Sequence, residues 1–65
     1  RVARADLNAA LANRDLAQTE LSRTEQLVER GISSAAALDS ARQRARVAQA
    51  NVDTAEAAIS MREAA

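Results

Sequence analysis

The chain has 65 residues, with nine cationic side chains, all arginine, against nine carboxylates, so its formal net charge is zero. It has no histidine, cysteine, aromatic residue or proline, and one glycine. That excludes disulfide and thiol chemistry and removes the usual general base and the commonest metal ligand. It also argues against a nucleic-acid binder, which needs phosphate neutralisation and base stacking. No stretch approaches the ~20 consecutive apolar residues of a membrane span.

The first arm, residues ~2–30, is rich in helix formers. Its heptad series runs Ala3, Leu7, Ala10, Arg14, Ala17, Leu21, Thr24, Val28. Arg14 interrupts it, with a long stem that can cover apolar surface while the charge reaches water. Val2, Ala9 and Leu16, with Leu27 beside them, form a second apolar stripe. At ~100° per residue this stripe is expected roughly opposite the seam.

The turn is expected at ~31–34. Gly31 suits the left-handed position that ends a helix. Arg30 complements the dipole of the last turn. Ser33 or Ser34 can cap the second helix. So short a loop makes the arms antiparallel.

The second arm, ~35–63, carries an unbroken series: Leu38, Ala41, Ala45, Ala48, Val52, Ala55, Ile59. Small alanines alternating with larger residues let two helices approach closely. Asp39 near the helix start is placed to pair with Arg42 at i+3. Arg42, Arg44 and Arg46 are the basic cluster, expected to form ion pairs along a bundle surface. Val47, Ala50, Ala57 and Met61 make a second stripe here too. The extra stripes fit either alanine-rich exposed faces or lateral packing against neighbouring hairpins. The fold expected is therefore all-α, a two-helix antiparallel coiled-coil hairpin. A start at Arg1 without methionine reads as a piece of a longer protein.

No constellation resembles a catalytic or metal site, and no cofactor is expected. Ser33 and Ser34 have no histidine or lysine partner, so capping outweighs nucleophilic chemistry. The reading is of a non-enzymatic module.

The stretch RTEQLVERGISSAAALD holds Arg23, Leu27, Gly31, Ser34 and Asp39 in the pattern R-x-x-x-L-x-x-x-G-x-x-S-x-x-x-x-D. This resembles the hairpin tip of periplasmic adaptors, or membrane fusion proteins, of bacterial tripartite efflux pumps and type I secretion systems. One departure is Ser33, where the family usually has an apolar residue; here Ile32 comes one place earlier. The resemblance implies a hairpin tip that docks to a TolC-type outer-membrane channel in a drug-efflux or secretion conduit. Arg23, Leu27 and Ser34 would make the docking contacts, with Gly31, Ser33 and Asp39 shaping the turn. It further implies a homo-oligomer, a hexamer in the family, and a link to an inner-membrane transporter through domains absent here. The setting would be the periplasm, with the parent protein anchored to the inner membrane. Alternatives are a free-standing hairpin that dimerises into a four-helix bundle, structural or RNA-binding, or part of the outer-membrane channel protein itself.

Overall fold

The computed structural model describes residues 2–64, with side chains described for 2–62. Two helices make up the fold: α1, Val2–Glu29, and α2, Ala35–Ala64. They pack side by side as one antiparallel hairpin, a rod whose Cα atoms extend 52 × 14 × 11 Å. The all-α hairpin expected from the heptads is the fold observed.

Every residue of both heptad series is buried or half-buried. The most enclosed side chains are Ala10, Ala41, Ala48 and Val52. Of these only Val52 is large. In heptad terms, position d holds Ala3, Ala10, Ala17 and Thr24 on α1, and Ala41, Ala48 and Ala55 on α2. The larger residues fall at position a. Across the groove, Ala10 stands near Ala55 and Ala17 near Ala48.

Arg14 takes its place in the seam as its long stem allows. Its side chain is 28% exposed, and Nη2 donates to Asp15 Oδ1 at 2.9 Å. Nε donates to the same oxygen at 3.2 Å. The stem is largely enclosed while the head reaches its neighbour Asp15. The other expected ion pairs do not form within the hairpin. Among the described residues, none joins Asp39 to Arg42, and Arg44 and Arg46 have no carboxylate partner. Exposed pairs gain ~0–1 kcal/mol in water, too little to hold two long side chains together.

The thinness of the core sets a sharp expectation. Val52→Ala removes the one large, fully buried side chain among the described residues and should destabilise the hairpin by about 1.5–3 kcal/mol. Ala57→Ser, on an exposed face, should stay within about 0.5 kcal/mol. Thermal melting followed by circular dichroism distinguishes the two.

Candidate functional site

The turn between the helices closes by two linked motifs. At the end of α1, the Ile32 N–H donates to Leu27 O at 2.8 Å and the Gly31 N–H to Val28 O at 3.0 Å. These are the two reverse bonds of a Schellman motif, with Gly31 at the left-handed position. Gly31 has φ +74°. A Cβ built there meets nothing within 4 Å, so glycine is required by the backbone angle and not by space. The Ser33 N–H also reaches Leu27 O, at 3.3 Å.

The second helix opens on Ser34. The Ala37 N–H donates to Ser34 Oγ at 3.1 Å, and the Leu38 N–H to Ser34 O at 3.2 Å. Ser34 is thus the N-cap, and the choice left open between Ser33 and Ser34 is resolved. Ser33 instead ends the first helix's reverse turn through its backbone. Arg30 lies just past the end of α1, as the residue before Gly31.

The side chains singled out in the sequence fall into two groups. Arg23 is exposed and held by no hydrogen bond or ion pair among the described residues. It stands about 9 Å along the helix from Glu29, six residues at 1.5 Å each. Leu27 lies one turn further toward the tip on the same face and is half-buried. Its carbonyl accepts from the Ile32 and Ser33 N–H groups, so the backbone of Leu27 is tied to the turn. Asp39 is exposed and set apart from them, on the opposite flank of the rod from Arg23 in heptad register.

One tip residue was not among the expected site residues. Ile32 is 69% exposed, directly after the left-handed glycine. A large apolar residue following the sole glycine of a short turn has nothing beneath it to bury against. That was the available signal.

The rod also has an open groove along one flank. Asn13, Leu16, Ala17 and Glu20 of α1 line it, opposite Arg44, Val47, Ala48 and Asn51 of α2. Toward the base it continues past Ala9, Ala10, Thr54 and Ala58. Leu16 and Val47 therefore flank the seam and do not lie opposite it, which corrects the expected position of the second stripes. Among the described residues no cluster of carboxylates could hold a metal ion, and no helix is long and apolar enough to cross a membrane.

A helical hairpin with an alanine seam, a Schellman–serine turn and a bare arginine below it invites comparison with known hairpin families. Residues 2–61 match the model of the CzcB-like α-helical hairpin domain. The chain belongs to that family. It is a hairpin of the membrane fusion protein type, the adaptor component of tripartite efflux pumps. No curated protein and no solved structure matches it. Within this CzcB-like hairpin the turn chemistry gives direct expectations. Gly31→Ala forces an alanine into the left-handed region and should cost about 1–2 kcal/mol. Ser34→Ala should cost about 1 kcal/mol through the lost cap, and Ser33→Ala less. Chemical denaturation of the three variants tests the order.

Proposed function

We propose that the tip of this CzcB-like hairpin docks onto the periplasmic end of a TolC-type outer-membrane channel. The observation that carries the reading is the state of the tip. The end of α1 is closed by the Gly31, Ile32 and Ser33 bonds and α2 is capped by Ser34, while the Arg23 and Ile32 side chains of the 52 Å rod are left exposed. Arg23 offers a planar, multi-donor fork to carbonyl or carboxylate oxygens of the channel. Leu27, half-buried on the same face, and Ile32 at the apex supply the apolar contact. Ser34 caps α2 with an oxygen lone pair, and its O–H remains able to donate across the junction.

In this reading the hairpin is a non-enzymatic assembly element located in the periplasm. Further domains of a parent protein, anchored to the inner membrane, connect it to a transporter. Several copies, six by family resemblance, present their tips together to build the conduit. The exported substrate passes inside that conduit and is not selected by the tip.

The test is binding of the chain, immobilised at high density, to a purified TolC-type channel. Arg23→Asp should weaken binding about tenfold or more, since a hydrogen bond to a charged group contributes ~1.5–3 kcal/mol. Ser34 needs two variants, because alanine removes cap and donor together. Ser34→Asp keeps a capping oxygen and removes the donor, so it should fold like the parent and bind less. Unchanged binding by Arg23→Asp, with helicity confirmed, would sink the docking role.

A further inference from the structure

Ile32 stands where two turn motifs meet and is buried by neither. It follows the left-handed Gly31 and donates its N–H to Leu27 O in the Schellman turn. An apolar residue at that place ordinarily packs back on the helix, against the residue whose carbonyl it bonds or the one before it. Those two residues are Leu27 and Gln26, so only one of them is apolar. The start of α2 offers a second place for an apolar turn residue, just before the N-cap, where it packs on the fourth helical residue. With Ser34 as the cap, that place is held by Ser33 and the fourth residue is Leu38. Ile32 comes one residue too early to use it, and it remains 69% exposed.

The exposed side chain is also held still. Its own N–H bonds Leu27 O at 2.8 Å, and the N–H groups on either side bond Val28 O at 3.0 Å and Leu27 O at 3.3 Å. The β-branched side chain is stiff at χ1. Such a group has little freedom left to lose on binding. Its exposed neighbours in the chain, Glu29, Arg30 and Ser34, are polar. Leu16 and Val47 are the next large apolar residues left exposed toward the base. They lie about 18–20 Å down the shaft, 13 and 12 residues from the tip ends of their helices at 1.5 Å each.

We propose that Ile32 is the anchor of the tip, a single rigid aliphatic side chain that fills a socket in the partner and selects the partner by its shape. The inference rests on the docking reading above and names what the channel presents. That is a pocket the size of one branched aliphatic side chain, apolar within and hydrogen-bonding at its rim. Leu27 is not the anchor, because it is already half-buried in its own hairpin and has less area left to cover. A broad apolar face on the partner gains nothing more than a socket, since among the described residues the tip exposes no second large apolar group. A lipid surface is a poorer fit still. Even a myristoyl chain gives only marginal membrane binding, and isoleucine is far smaller.

The test is binding of the immobilised chain to the purified TolC-type channel, with Ile32 variants run beside Arg23→Asp. Ile32→Val removes one methyl group and should weaken binding about threefold. Ile32→Ala should weaken it about tenfold or more. Ile32→Leu keeps the volume and moves the branch, so a shaped socket should bind it about threefold or more weaker than the parent. Thermal melting by circular dichroism checks that each variant keeps the turn. Losses that do not follow side-chain size, or Ile32→Leu binding as well as the parent, overturn the proposal. So does an Ile32→Ala chain that melts lower and binds unchanged, which would assign Ile32 to the turn's own packing. Equal retention of channel-free detergent micelles overturns it as well. If Arg23→Asp weakens binding and Ile32→Ala does not, docking stands and the anchor falls. If the parent itself does not bind, both fall together.

Discussion

The structure depends on how closely two helices approach when one position of nearly every seam layer is alanine. Ala10, Ala41 and Ala48 are among the most enclosed side chains of that seam. The same closeness leaves almost no interior. Apolar burial contributes roughly in proportion to area, and a methyl group supplies little of it. The hairpin is therefore a long, thin rod with, among the described residues, one large fully buried side chain, Val52. Its remaining large apolar groups are partly covered or exposed. In such an element the surfaces are most of the molecule, and their sidedness decides what it can join.

The tip obeys a second constraint. A helix that reverses over five residues exposes carbonyls at one end and N–H groups at the next start. The bonds from Gly31 and Ile32 satisfy the former, and Ser34 satisfies part of the latter. With the α1 end closed in this way, the groups that stand out from the turn are chiefly side chains. Arg23 is the clearest case, since no intramolecular partner holds its guanidinium. Ser34 differs. Its oxygen is committed to the cap, and only its proton is free to serve another molecule.

Much of this was legible in the sequence, for reasons that differ from residue to residue. Heptad spacing identified the seam because a two-helix fold has one neighbour per helix, and every residue of both series is at least half-buried. Spacing could not choose between Ser33 and Ser34, since either can precede a helix. The choice is made by the reverse turn of α1, which takes up the Ser33 N–H before the second helix begins. The second stripes were visible, but angular spacing on an isolated helix placed them opposite the seam. In the hairpin, Leu16 and Val47 stand beside the seam on one side and share a groove. The expected Asp39–Arg42 contact was a matter of spacing alone, and in water spacing is not enough to form it. The docking role expected of Arg23, Leu27 and Ser34 rests on resemblance and not on chemistry. Nothing in their composition distinguishes them from a surface arginine, a seam leucine and a cap.

The two ends of the rod differ in kind. On the groove flank the exposed apolar residues Val2, Leu16, Val47 and Met61 lie along the shaft, and Arg23 and Ser40 take the same register toward the tip. A single tip offers only a few side chains, a contact area far below that of a stable interface. A partner that engaged several tips at once would gain by avidity, because each contact after the first is intramolecular and needs no new chemistry at the tip.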